Sequence, residues 1–106
     1  ALSGKDKFAR DFGLRDQVRR AAVSIMANIA EGYERGGSRE FAQFLSMAKG
    51  SASEVRSHLY VALDQDYIDQ DTFEGLIVQV EDTARKISKL IDYLHASEIK
   101  GVKYKS

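Results

Sequence analysis

The amino-acid sequence predicts an all-α protein made of three long helices in a single domain. The 106 residues contain no proline, and the only adjacent glycines are Gly36 and Gly37. From Leu14 onward, apolar residues recur every three to four positions, which is the spacing of an amphipathic helix. An apolar share of 43% in a chain of this length suits one buried core, and the chain is too short for two.

The first helix is predicted over residues 13–34 and is apolar on two sides. Gly36 and Gly37 are expected to end it. One side faces the core and contains Leu14, Val18, Ala21, Ala22, Ile25 and Ile29. At roughly 100° per residue, a second apolar group lies opposite the first. It consists of Val23, Met26, Ala27 and Ala30. Because one core cannot cover two opposite sides, this second group predicts an oligomer interface.

The second helix is predicted over residues 38–66, with Ser38 as its N-cap. Its core side contains Phe41, Phe44, Leu45, Ala48, Ala52, Val55, Leu59, Ala62 and Leu63. A stripe of small residues faces away from the core and is assigned to the same oligomer interface. The stripe consists of Ser46, Gly50, Ser53 and Ser57. An ordinary solvated surface is the alternative, because exposed serines are common. A helix-turn-helix broken at Gly50 is a further alternative, which the unbroken apolar phase disfavours.

The third helix is predicted over residues 71–97, with Asp69 or Asp71 as its cap. A single apolar side makes it an ordinary outer helix. This side contains Phe73, Leu76, Ile77, Val80, Ala84, Ile87, Ile91 and Leu94. The basic tail from Gly101 to Ser106 is predicted to be frayed.

The formal net charge is zero, but the charges are unevenly distributed. Seven carboxylates and no lysine or arginine occur between Arg56 and Arg85, which predicts one acidic end of the molecule. A neutral chain lacks the bulk electrostatic attraction for nucleic acid that strongly basic domains have. The chain has no cysteine and no apolar run of about 18 residues. We therefore expect a cytoplasmic protein without membrane contact.

The run from Phe12 to Tyr33, FGLRDQVRRAAVSIMANIAEGY, closely resembles the signature of the proteins encoded in 23S ribosomal RNA intervening sequences. The likeness continues through Glu40-Phe41 and is dense over residues 8–68. It implies an antiparallel up-and-down four-helix bundle that assembles into homopentamers. It also implies kinship with the accessory protein of diversity-generating retroelements, a pentameric barrel associated with nucleic acid.

This sequence departs from the family pattern in three ways. The first helix of the family is essentially absent before Ala1, so it is expected to be truncated or missing here. Met26 stands where proline is frequent, and Asp66 stands where glycine is frequent. The resemblance brings no catalytic residues with it.

Five arginines on or beside the first helix are the candidate nucleic-acid-binding residues. They are Arg15, Arg19, Arg20, Arg35 and Arg39. Guanidinium groups fork onto phosphate, and an oligomer multiplies a modest patch. The alternative is that nearby carboxylates pair with these arginines on an ordinary mixed surface. Those carboxylates are Asp16, Glu31, Glu34 and Glu40.

No residue pattern predicts catalysis, a metal site or a cofactor. The serines lack a recognisable His-Asp partner, and His58 with Glu54 or His95 with Asp92 supplies too few metal ligands. The sequence therefore predicts a non-enzymatic homo-oligomer, a pentamer by family resemblance, that binds RNA or DNA through a basic surface. The alternative is a structural adaptor or scaffold for a protein partner. No small-molecule substrate is indicated.

Overall fold

The computed structural model describes residues 11–105, with side chains over residues 11–97. Three helices follow in order: α1 (Phe12–Glu34), α2 (Ser38–Asp64) and α3 (Gln70–Lys105). Within this range there is no strand, so the all-α prediction is confirmed. The two short turns make consecutive helices antiparallel, and α2 packs against both α1 and α3. The expected truncated first helix falls on residues outside the described range.

Local sequence signals explain where the helices begin and end. The Asp11 carboxylate accepts a hydrogen bond from the Leu14 N–H at 2.9 Å and caps α1. Asp69, one of the two caps predicted for this helix, caps α3 by accepting a hydrogen bond from the Thr72 N–H at 2.7 Å. Gly36 ends α1 with a φ of 80°, which glycine adopts readily. The cap predicted for α2 was wrong: Gly37 occupies the N-cap, and no side chain bonds the first turn.

The core has two apolar clusters along α2, one toward each end of the bundle. One cluster contains Ala21, Val55, Leu59, Phe73 and Ile77. The other contains Ala42, Leu45, Ala48, Ile87 and Leu94. Ile25 packs against both clusters. Four alanines on the buried side of α2 let its neighbours approach closely, which fits its central position.

The structure corrects three details of the predicted helices. Ala22, placed on the core side of α1, is exposed. The third helix continues to Lys105, so the tail predicted to be frayed is helical through that residue. α2 ends at Asp64, and Asp66 then adopts a positive φ of 58°. This left-handed backbone suits glycine, the residue that the family resemblance leads us to expect at that position.

α2 runs without interruption through Gly50, so the helix-turn-helix alternative is wrong. The apolar side of α2 keeps its phase across the glycine because the helix does not turn there. Among the residues that the structure describes, no helix is both long enough and apolar enough to cross a membrane.

Candidate functional site: the outer face of α1 and the two ends of the bundle

The second apolar group of α1 lies in solvent, opposite the side that touches α2. Val23 is 60% exposed and Met26 is 67% exposed. Ala27 and Ala30 are exposed beside them. Phe12 and Tyr33 are also exposed, and both are separated from Met26 by multiples of seven residues. Arg19 stands between Phe12 and Met26 in this seven-residue series, so the uninterrupted apolar face extends from Val23 to Ala30, with one exposed aromatic ring toward each end of α1.

The small residues of α2 border an open groove between α1 and α2. Ser46, Gly50, Ser53 and Ser57 are all exposed, and all but Ser46 line this groove of about 700 Å³. Its α1 wall contains Gln17, Arg20, Ala21 and Ser24. A Cβ atom placed on Gly50 would meet nothing within 4 Å. The Ser53 hydroxyl donates to the Lys49 carbonyl in its own helix, at 3.3 Å.

The same two helices touch closely at the other end of their contact. Gly32 is buried, and a Cβ atom built on it would lie 2.6 Å from the Cβ of Phe44. That distance is far inside van der Waals contact, so glycine is required for this approach. The close contact sits next to the α1–α2 turn, whereas the groove opens toward the start of α1.

A short chain of hydrogen bonds fixes the register between these two regions. The Asn28 side-chain amide donates to the Ser24 carbonyl at 2.8 Å and lies 3.1 Å from the Ser24 hydroxyl. The Ser51 hydroxyl of α2 donates to the Ser24 hydroxyl at 2.9 Å. Asn28 therefore bonds within its own helix, and Ser24 with Ser51 makes the link between helices.

Three of the five candidate arginines occupy the first turns of α1. Arg19 and Arg20 both pair with Asp16, at 3.6 and 2.9 Å, and their side chains are largely exposed. The Arg15 guanidinium lies 4.9 Å from the centroid of the Phe12 ring. Exposed pairs of this kind contribute little to stability and leave the guanidinium accessible to solvent.

These three arginines lie at the acidic end of the molecule. The Tyr67 hydroxyl donates a hydrogen bond to the Asp11 carboxylate, which joins the start of α1 to the α2–α3 turn. The Leu14 N–H first, and Tyr67 second, hold the pKa of Asp11 below its ordinary value. The same bond raises the pKa of Tyr67. Seven carboxylates occupy residues 64–82. Their negative charge makes this end less attractive to phosphate than the three arginines alone would make it.

The other two arginines lie at the opposite end, on the α1–α2 turn. Arg35 places Nη2 2.8 Å and Nε 3.2 Å from one Glu31 carboxylate oxygen. Its guanidinium lies 5.3 Å from the centroid of the Phe44 ring. Arg39 is on the first turn of α2. At about 1.5 Å per residue, Arg15 and Arg35 are roughly 30 Å apart along α1, so the five arginines form two separate groups.

Some features of these surfaces were missed in the sequence. Phe12 and Tyr33 add exposed aromatic rings toward the two ends of α1, and their spacing of fourteen and seven residues from Met26 was an available signal. The bond between Asp11 and Tyr67 joins residues 56 positions apart in the sequence, and no local pattern indicates it.

The two histidines considered as metal ligands lie apart. His58 lines the groove and His95 is exposed. In the part of the chain described, no three metal-ligating side chains come together.

Comparison with known proteins identifies a family. The family model described as 23S rRNA-intervening sequence protein matches residues 2–89 of the chain. This match covers all of α1 and α2 and more than half of α3. No curated protein and no solved structure matches the chain.

Proposed function

Because this chain belongs to the 23S rRNA-intervening sequence protein family, we propose that it acts without catalysis, as a homo-oligomer that binds nucleic acid. The pentamer expected from the family resemblance is the proposed assembly. The outer face of α1, defined by Val23, Met26, Ala27 and Ala30, is the observation that carries the proposal. An exposed apolar face on the side of a helix that points away from the core is typical of a contact surface rather than of a free helix.

Burial of this face accounts for self-association. Val23 and Met26 are both more than half exposed, and burying each one would contribute about 1 kcal/mol or more. Ala27 and Ala30 add little bulk, so a partner helix can approach closely between the larger side chains. The same face on every copy gives each subunit an equivalent contact, which suits a symmetric assembly.

Assembly also explains how a chain of zero net charge binds nucleic acid. Each subunit contributes only a few arginines, and several of these pair with carboxylates. Repeating them around an oligomer raises the number of simultaneous phosphate contacts without any new contact within a subunit. Binding should therefore depend on the oligomer being intact.

Two matched valine variants test the role of the outer face. Val23 on α1 and Val78 on α3 are 60% and 64% exposed, so Val23→Glu and Val78→Glu place the same charge in similar solvent. Sedimentation velocity should show that Val23→Glu shifts the protein toward monomer while Val78→Glu retains the wild-type mass. Circular dichroism should show equal helicity. Equal masses for the two variants would remove the α1 face as the interface.

Nucleic-acid binding is tested by fluorescence anisotropy with labelled 23S ribosomal RNA fragments and control duplex DNA across a salt series. We expect saturable binding to RNA that weakens as salt rises. The absence of binding at low salt, together with an intact oligomer, would favour the second candidate. In that candidate the protein is a structural adaptor or scaffold that binds a protein partner.

A further inference from the structure

Tyr33 stands out among the aromatic side chains at the α1–α2 turn. It lies in the last turn of α1 and is 75% exposed. The Phe41 ring meets it edge to face, with centroids 6.0 Å apart and planes at 79°. Because Phe41 also packs against a core cluster, the Tyr33 ring rests on the fold while most of its surface remains open.

Arg35 is held beside this tyrosine in a preset orientation. Glu31 and the Phe44 ring fix its guanidinium from two directions, yet half of the side chain remains exposed. Its backbone N–H also bonds the Gly32 carbonyl at 3.3 Å. A fixed guanidinium loses little conformational entropy when it binds a ligand, which favours recognition of an oxyanion.

Two other tyrosines show that this arrangement is specific to the turn. Tyr60 packs against Phe73, and the Arg56 guanidinium lies 5.8 Å from its ring centroid, so a cation already occupies that ring. Tyr93 on α3 is 66% exposed, with no ring partner among the described residues. Tyr33 differs from both because its ring packs against the Phe41 ring while 75% of the residue remains exposed to solvent.

We infer that the α1–α2 turn is a stacking site for an unpaired nucleobase, with Tyr33 as the stacking ring and Arg35 as the partner of the adjoining phosphate. An aromatic ring accepts any base face, and a neighbouring arginine binds the backbone that follows it. The inference rests on the proposed function, since it names the part of the surface that touches nucleic acid.

The local charge predicts what kind of binding this site supports. Glu31, Glu34 and Glu40 lie on the same turn as Arg35 and Arg39, so the turn as a whole is not basic. Stacking must therefore supply part of the affinity at this turn, and salt should weaken binding less steeply than it would at a purely basic surface. Single strands should bind better than duplexes, because paired bases do not expose their faces.

The test measures binding of a labelled single-stranded RNA, the DNA strand of the same sequence, and the RNA duplex. The variants are Tyr33→Leu, Tyr33→Phe and the matched control Tyr93→Leu. We expect Tyr33→Leu to weaken single-strand binding by about tenfold, while Tyr33→Phe stays within about twofold and Tyr93→Leu is unchanged. Sedimentation should give the wild-type mass for all three variants, because leucine preserves apolar bulk.

The outcomes separate this inference from the proposed function. If Tyr33→Leu binds single strands as the wild type does, the stacking site is wrong and the proposed function stands. If Tyr33→Leu loses binding and also dissociates, Tyr33 is a subunit contact and the inference fails. If the wild type binds none of the nucleic acids, the proposed function fails and the inference fails with it. The DNA strand shows whether the ribose hydroxyl contributes.

Discussion

The α1–α2 pair is closed at one end and open at the other, and a glycine marks each end. Near the turn, Gly32 is buried against Phe44 with no room for a Cβ atom. Toward the start of α1, Gly50 borders a groove and faces empty space. Glycine therefore allows close helix packing at residue 32, whereas at residue 50 it leaves the helix surface accessible. The closed end is therefore the more sensitive of the two to added side-chain volume.

The largest expected effect comes from adding one methyl group at each glycine. Gly32→Ala forces α1 away from α2 and should lower the free energy of unfolding by about 2 kcal/mol or more. Gly50→Ala adds the methyl group to open space and removes backbone freedom, so it should raise the free energy of unfolding by about 0.5–1 kcal/mol. Urea unfolding followed by circular dichroism measures both.

Each glycine variant is the control for the other, because both place alanine in a helix. A small or stabilising effect of Gly32→Ala would show that α1 and α2 are not in close contact at Phe44. A strongly destabilising effect of Gly50→Ala would show that the groove is filled in the folded protein, for example by a neighbouring subunit.

A smaller effect is expected from the arginines at the two ends. Replacing Arg35 and Arg39 with glutamine should weaken RNA binding several-fold, whereas the same replacement of Arg15, Arg19 and Arg20 should have less effect. The reason is the acidic α2–α3 turn next to the start of α1. Anisotropy titrations at two salt concentrations measure the difference. A greater loss from the triple variant would reverse this assignment of the two ends.

The smallest expected effect is the pH dependence of stability at the open end of the α1–α2 pair. The pKa values of Asp11 and Asp69 are lowered from 3.8 in the folded protein, chiefly by hydrogen bonds to Leu14 and Thr72. Their contribution to stability is therefore present above pH 3.8 and is lost as the pH falls through the lowered values. The pH dependence from Tyr67 runs in the opposite direction. Because its pKa is raised in the folded protein, Tyr67 contributes stability below pH 10 that is lost at higher pH.

Melting temperatures across pH, for the wild type and for Asp11→Asn, test this link. Asn caps a helix but carries no charge, so the variant should lose part of the acid dependence and keep its helices. Tyr67→Phe should remove the alkaline dependence and also reduce the acid dependence, because Tyr67 helps to lower the pKa of Asp11. Identical pH profiles for all three proteins would show that the bond between Asp11 and Tyr67 does not contribute to folding.

The helices were predictable because their signals are local. The spacing of apolar residues, the aspartates before α1 and α3, and Gly36 act within one or two turns of the chain. Ser38 misled the prediction because a serine before an apolar run is a common N-cap, whereas here the backbone enters the helix one residue earlier. The extension of α3 to Lys105 was missed because Gly101 usually indicates an end.

The candidate surfaces were less predictable because they depend on how helices are placed. The two-sided pattern of α1 predicted an outer apolar face, and the exposed Val23 and Met26 lie on it. The five arginines are predicted at the two ends of the first helix, and the structure places them there in two groups. The acidic surroundings of Arg15, Arg19 and Arg20 come from an antiparallel arrangement that brings residue 67 beside residue 11.

The mass of the wild-type protein in solution tests the central claim most directly. Sedimentation equilibrium over a range of concentrations should give a defined multiple of the 11.8 kDa chain, with five copies as the expected number. A multiple supports the proposed assembly, and Val23→Glu then shows whether the outer face of α1 is the contact. A mass of one chain at every concentration would contradict the proposed assembly and leave that face for a different partner.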